Sequence, residues 1–296
     1  LGTPSFVFDT DILMERARWI AGMIRPAKLC FAMKANPFLI KTLEGYVERY
    51  EVCSPGEFHI CVQSGLDMGK IVLSGVNKEY EDVRYAMAQG VRHYTAESVS
   101  QFYLVERCAE ELGKQVEILL RVTSGNQFGM SEEDVLGLIR TRENYPHVEI
   151  RGLQYFTGTQ KKVIKKIAAE VAYIEELIRR LEEEEGFVSR ELEFGPGLGV
   201  PYFTKDDFEE DRALLEAFME LFREERPYEV TFEMGRYLTA SCGYYMTKIM
   251  DQKRNDAVNV CIVDGGIHHV NYYGQNMAMK TPILSYFPQH PIEEEK

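Results

Sequence analysis

Lys34 closes an apolar run of strand length, Leu29 to Met33, within the stretch KLCFAMKANPF. An amine placed where a strand gives way to a loop, ahead of Ala-Asn-Pro, is a candidate nucleophile that can condense with a carbonyl as a Schiff base. A structural salt bridge is the alternative use of such a lysine. Other apolar runs end in equally polar residues: EVCSPGE carries Glu51, Ser54 and Glu57, RVTSGNQFG carries Arg121, and EMGR carries Glu233 and Arg236. Two more ends are glycine turns, the Gly158-Thr159 step of YFTGTQ and the segment GPGLG from Gly195 to Gly199. Backbone N–H groups at strand-to-helix turns, free of side chains, can approach a phosphate closely, and a helix N-terminus favours its charge.

A repeating frame must hold these residues. Strands are predicted at Leu29 to Met33, Tyr50 to Cys53, Lys70 to Leu73, His93 to Thr95, Val116 to Val122, Glu149 to Tyr155, Glu191 to Phe194 and Glu229 to Phe232. Helical spacing is predicted over Phe38 to Val47, Gly56 to Ser64, Glu79 to Gln89, Ser98 to Leu112, Glu132 to Thr141, Val163 to Glu185 and Asp206 to Glu225. The alternation demands parallel strands, and eight units match the α/β class of a (β/α)8 TIM barrel, with a doubly wound open sheet as the alternative. In a barrel the C-terminal strand ends form one mouth, so the polar ends would converge there. The barrel is expected over 28–242. An extra strand and helix in 1–27, and the strands YYMTKIMD and NVCIVDGG in 243–296, are expected to be remnants of a second, β-rich domain entered at both ends of the chain.

A Schiff-base lysine, a phosphate cradle on neighbouring strand ends and a carboxylate on the eighth strand together describe a site for pyridoxal 5'-phosphate. The chain resembles the fold-type III pyridoxal phosphate decarboxylases, the group of diaminopimelate and ornithine decarboxylases with an alanine racemase-like barrel. The resemblance runs from GTPSFVFD to VDGG through FAMKAN, EVCSPGE, IVLSGVNK, FTGTQ, GPGLGVPYF and EMGRYL. It implies that Lys34 holds the cofactor as a Schiff base and that Glu233 pairs with the pyridine nitrogen. It also implies that Gly195, Gly197, Thr159 and Arg236 bind the phosphate, and that Glu51 and Glu57 orient Lys34 and the ring. The activity implied is α-decarboxylation of an L-amino acid or amino-acid derivative by a homodimer. A carboxylate against the ring nitrogen stabilises its protonated form, which accepts electrons from Cα. Amino-acid racemases on this barrel, and the non-catalytic pyridoxal phosphate-binding proteins, have an arginine there instead, and they are the alternative readings.

The chain departs from the family where a histidine usually stacks on the cofactor ring, since Phe156 occupies that position. An aromatic before TGTQ, with GVPYF and DGGIHH, makes the chain more similar to decarboxylases of specialised pathways such as butirosin biosynthesis, whose substrate rides on an acyl carrier protein. Family members continue through a β-domain with a cysteine-containing segment and a tyrosine that complete the site across a dimer. A chain ending PIEEEK is expected to hold that domain incompletely.

Composition bounds the remaining possibilities. The 296 residues are 45% hydrophobic and 27% charged, an ordinary globular balance, and the net charge of -13 opposes nucleic acid as a partner. No run approaches the ~18 apolar residues of a membrane span, and the six cysteines lack C-x-x-C spacing. They read as buried thiols of a cytoplasmic protein. No metal site is expected, because H-E-x-x-H is absent and His268 and His269 would point to opposite faces of a strand. The run Glu182 to Glu185 reads as a solvated helix end. Lys161, Lys162, Lys165 and Lys166 read as a solvated helix face, with a partner-binding patch as the alternative.

Overall fold

Along predicted strands such as Glu191 to Phe194 and Glu229 to Phe232 the apolar side chains alternate with polar ones, and this parity decides which face meets the helices. A computed structural model describes residues 2–206, 209–256, 258–270 and 281–287. Strand β1 (Ser5–Phe8) and helix α1 (Thr10–Met23) precede the barrel. The barrel strands are β2 (Lys28–Ala32), β3 (Arg49–Val52), β4 (Ile71–Leu73), β5 (His93–Ala96), β6 (Val116–Arg121), β7 (Val148–Phe156), β8 (Glu191–Gly195) and β9 (Glu229–Met234). They pair in parallel in that order, and β2 meets β9 to close the ring. Between them lie α2 (Pro55–Gln63), α3 (Tyr80–Ala88), α4 (Val99–Leu112), α5 (Glu132–Arg140), α6 (Ile164–Glu185) and α7 (Glu210–Glu220), and the four-residue α8 (Arg236–Thr239) follows β9.

The core lies between sheet and helices. Leu29, Phe31, Tyr50, Tyr94, Leu153, Leu192, Phe194 and Phe232 are buried there, and Phe194, Phe218, Phe222 and Phe232 form an aromatic cluster under α7. The barrel interior is polar by contrast. Arg49 on β3 forms a bidentate pair with Glu191 on β8, its Nη2 lying 3.2 Å from Oε2, and Thr231 donates to Glu191 Oε1 at 3.0 Å. Since β3 and β8 are not neighbours, this ion pair spans the barrel lumen.

After the barrel, β10 (Gly243–Met246) pairs antiparallel with β1, and β11 (Ile249–Asn255) with β12 (Val258–Val263). Among the described residues three strands thus follow the eighth where two are expected, because Thr247 and Lys248 break YYMTKIMD in two. Among the described residues no helix is long and apolar enough to cross a membrane.

Four expectations change. The helix expected over Phe38 to Val47 does not form. Asn36 caps a single turn, Pro37–Leu39, and Gly45 takes φ +98°, which ends any helical continuation. The helix expected over Asp206 to Glu225 is confined to α7, since Asp206 instead receives the N–H groups of Tyr202 and Phe203. His268 and His269 lie in a turn beyond β12 with ring centroids 4.0 Å apart and planes tilted by 41°, so they do not face opposite ways. Of the cysteines, Cys53 is half-buried and Cys261 exposed, while the other four are buried. The Glu182 to Glu185 run does close α6, its carboxylates paired with Arg179, Arg180 and Arg140.

Removing one partner of a buried ion pair leaves the other charge uncompensated. Arg49→Met should therefore destabilise the protein by about 3–5 kcal/mol in chemical denaturation. A loss below about 1 kcal/mol would mean that Glu191 is neutral or satisfied without the guanidinium.

Candidate active site

At the end of β2 the chain tightens into one 3-10 turn, Met33–Ala35, which turns Lys34 across the mouth of the barrel. Its Nζ lies 2.9 Å from Glu51 Oε2 and 3.5 Å from Glu233 Oε1. Glu51 and Glu233 each stand one residue before the end of β3 and β9, the two strands hydrogen-bonded to either side of β2. The lysine is half-exposed, whereas both carboxylates are buried. Burial opposes the ammonium, yet Glu233 and Glu51 together hold Lys34 protonated well above its ordinary range. The carboxylates divide unequally. Burial would raise Glu51, but the Lys34 charge and hydrogen bond bring it below its usual value. Burial and then the Glu51 charge push Glu233 up to about 7.

The strands opposite supply the rest of the mouth. Gln154 on β7, fully buried, donates Nε2 to Glu233 Oε2 at 3.0 Å. Phe156, two residues on and hence on the same face, packs against Gly195, with Lys34 Nζ and Arg121 Cζ each 5.9 Å from its ring centroid. Arg121, at the end of β6, pairs with Glu97 at 2.6 Å and leaves its Nε unpartnered. The loops after β7 and β8 are bound to each other, Lys161 N–H donating to Gly197 O and Gly199 N–H to Lys161 O, both at 2.9 Å. Gly197 has φ +60°, and a Cβ there would meet Gly158 O at 1.9 Å. The two backbones thus approach as closely as glycine permits. Thr159 and Arg236 are exposed at this rim, the guanidinium 5.9 Å from the Tyr202 ring.

One expected residue stands apart. Glu57 does not reach Lys34; it lies in the first turn of α2, where Oε2 accepts Cys53 N–H at 2.7 Å and its own N–H is capped by Ser54 Oγ. The spacing S-x-x-E is that of a capping box, and local backbone satisfaction accounts for it. The residues not anticipated as site members are Gln154, the Arg121–Glu97 pair and Cys53, whose Sγ is 3.9 Å from Lys34 Nζ. Period-two parity with Phe156 was the available signal for Gln154. The basic cluster is partly neutralised, Lys161 by Glu170 and Lys162 by Glu210.

An amine between two carboxylates, a glycine-lined cradle and spare guanidinium donors fit one kind of group, an aldehyde cofactor with a phosphate tail and a basic ring nitrogen. The site thus defines a pyridoxal phosphate-binding barrel. Residues 10–240 match the family described as pyridoxal-dependent decarboxylase, pyridoxal binding domain, and the chain belongs to that family. Its cofactor is pyridoxal 5'-phosphate. The chain is 27% identical to the L-glutamyl-[BtrI acyl-carrier protein] decarboxylase of Niallia circulans, over 97% of this chain and 72% of that protein. It is 29% identical to the diaminopimelate decarboxylase of Zymomonas mobilis, over 90% of this chain and 68% of the relative. Among solved structures, one from Aquifex aeolicus superposes with a TM-score of 0.79 at 25% identity, covering 90% of this chain and 66% of that one.

Two measurements test this geometry. Lys34→Ala should abolish the borohydride-reducible cofactor adduct, with circular dichroism checking the fold because Glu51 and Glu233 lose their cation; an adduct on another lysine of the folded variant would overturn the assignment. The second uses the cofactor-free protein. Glu233 holds its proton to about 7 when folded, above the ~4.3 of an unfolded glutamate. A raised pKa contributes stability that is present below the unfolded value and lost as pH rises through the folded one. Between about pH 5 and pH 8 the wild type should therefore lose up to about 3 kcal/mol relative to Glu233→Gln. Parallel pH profiles for the two proteins would refute the shift.

Proposed function

We propose that this chain performs pyridoxal phosphate-dependent α-decarboxylation of an L-amino acid or amino-acid derivative. The observation that carries the reading is Glu233, a buried carboxylate beside Lys34 where racemases of this barrel have an arginine. When bound, the cofactor's ring accepts the electron pair left on Cα as CO2 departs. Every other task falls to side chains of the chain. Lys34 would hold the cofactor covalently, and Glu51, ionised and 2.9 Å away, orients its amine by accepting a hydrogen bond from Nζ. Glu233, held by Gln154, would pair with the ring nitrogen and favour its protonated form. Gly195, Gly197, Thr159 and Arg236 hold the phosphate, and Phe156 covers the ring face. Glu57 acts at a distance by fixing the backbone at Cys53.

The substrate class follows from the relatives. One acts on glutamate carried by an acyl-carrier protein, another on diaminopimelate. We read the protein as a cytoplasmic homodimer; Tyr244, Met250 and Val258, each more than half exposed, are apolar side chains that a partner or further chain would cover.

Measuring CO2 release from cofactor-loaded protein tests the reading, with diaminopimelate, lysine, ornithine, free glutamate and carrier-tethered glutamate as substrates. Release from at least one is expected. Glu233→Ala should retain cofactor while its rate falls by ~10²–10³, the scale of losing one preorganised electrostatic contact. Racemisation without CO2 release, or no turnover of any substrate by a loaded dimer, would refute decarboxylation.

A further inference from the structure

We propose that Glu193 stands un-ionised inside the barrel and donates its carboxyl O–H to Gln154 Oε1, so that a chain from Glu193 through Gln154 to Glu233 favours the ionised form of Glu233 and limits how far its proton affinity rises. The inference deepens the reading of Glu233 given above and takes its functional meaning from it. Glu193 touches neither Lys34 nor the mouth, so its part is that of a positioning residue.

Gln154 on β7 and Glu193 on β8 are register partners in a parallel pair, which puts their backbones ~4.8 Å apart. Both residues are buried, at 0% and 1% exposure. The Gln154 amide spends Nε2 on Glu233, and its Oε1 has no partner; neither oxygen of Glu193 has one either. Three buried, unpartnered acceptors on register partners of adjacent strands are unfavourable, since each unsatisfied group costs about 1–3 kcal/mol. An ionised Glu193 cannot relieve this, because a carboxylate and an amide oxygen both only accept. One proton on Glu193 satisfies Gln154 Oε1 and one Glu193 oxygen together.

The surroundings favour that proton. The ionisable groups that act most strongly on Glu193 are Glu233 on β9, Glu51 and Arg49 on β3 and Glu191 on its own strand, with Cys30 on β2 also interacting with it. Arg49 is the one cation among them, and both its Nη groups are committed to Glu191. Burial, then Glu233, Glu51 and Glu191, raise the Glu193 carboxyl well above its usual range, with Arg49 opposing. Cys30 is raised likewise and stays a neutral thiol.

Direction is what this chain adds. A glutamine amide can present either end to a carboxyl group, its N–H₂ to an ionised one or its oxygen to a protonated one. With Oε1 committed to a Glu193 donor, Nε2 must face Glu233, and this orientation favours the carboxylate.

Isotope-edited infrared spectroscopy on cofactor-free protein carrying carboxyl-labelled glutamate tests the protonation directly. At about pH 9, above the point at which Glu233 ionises, wild type should show the C=O band of an un-ionised carboxyl, and Glu193→Gln should lose it. No band in wild type, or a band surviving in Glu193→Gln, overturns the proposal. If that variant does not fold, Gln154→Met replaces it: the wild-type band should shift when its acceptor is removed, and an unshifted band overturns the proposal.

The loaded enzyme gives the second readout. Glu193→Gln keeps a neutral donor and should keep kcat within about twofold, whereas Glu193→Leu should lower kcat about tenfold with KM little changed, as for a weakened hydrogen bond to a charged group. The titration of Glu233 should also move about one unit higher in Glu193→Leu. Equal losses in both variants, or an unmoved titration, would make Glu193 merely structural and overturn the relay. A wild-type infrared band in a protein that releases no CO2 from any substrate would instead sink decarboxylation and leave a neutral Glu193 standing.

Discussion

The ammonium of Lys34 between the carboxylates of Glu51 and Glu233 is the interaction around which the barrel mouth is organised. One cation cannot fully compensate two buried anions, and the imbalance is resolved by asymmetry. Glu51, closer and hydrogen-bonded, stays ionised, while Glu233 carries the excess as a raised affinity for a proton. This arrangement needs the ring to close. Lys34 and Glu233 are far apart in sequence, and they meet because β9 pairs with β2 as the last step around the barrel. A doubly wound sheet would leave its first and last strands in different places, so the charge cluster and the closed topology imply one another.

The barrel separates stability from chemistry by strand parity. Outward side chains form a continuous apolar shell against the helices, and inward ones stack charge in layers. Arg49, Glu191 and Thr231 make a compensated layer on the N-terminal side. Lys34, Glu51, Gln154 and Glu233 make a negatively biased layer at the mouth. Glu193 lies between them without a cation of its own, so a proton is the economical way to place it there. The core loses little by this, because the apolar area buried between sheet and helices does not depend on what fills the lumen.

How much of this was legible depended on whether a residue's partner was its strand's own terminus or something across the barrel. Lys34, Glu51 and Glu233 could be picked out because each lies at or near the C-terminal end of a predicted strand, and strand ends converge in any barrel. Glu57 sits six residues after Glu51 in the same polar segment, but its spacing from Ser54 also encodes a helix cap, and the cap is what forms. Phe38 to Val47 has helical apolar spacing, yet Pro37 and a positive-φ Gly45 outweigh it. Gln154 and Glu193 read as polar interruptions in good strands. Their meaning lies in contacts between β7, β8 and β9, which depend on register and closure and not on local pattern.

The phenyl ring of Phe156 changes where acid–base chemistry can reside. Its neighbours include two cations, Lys34 and Arg121, and the flat backbone of Gly195, so the position suits stacking. A ring without nitrogen can cover a cofactor but cannot exchange a proton with it. Proton exchange near neutrality then rests with groups whose affinities burial has moved. Glu233, raised to about 7, is one, and Lys78, lowered by burial to about 8 and held by Gly75 O and Gln101, is another. Lys78 is tied into the loop after β4, whereas Glu233 faces Lys34 directly. A mouth built this way concentrates its pH response in one carboxylate. That carboxylate is set by its neighbours on β3 and β7 more than by the ring stacked at the end of β7, so a phenyl there leaves the electrostatics of the site intact while removing one proton carrier.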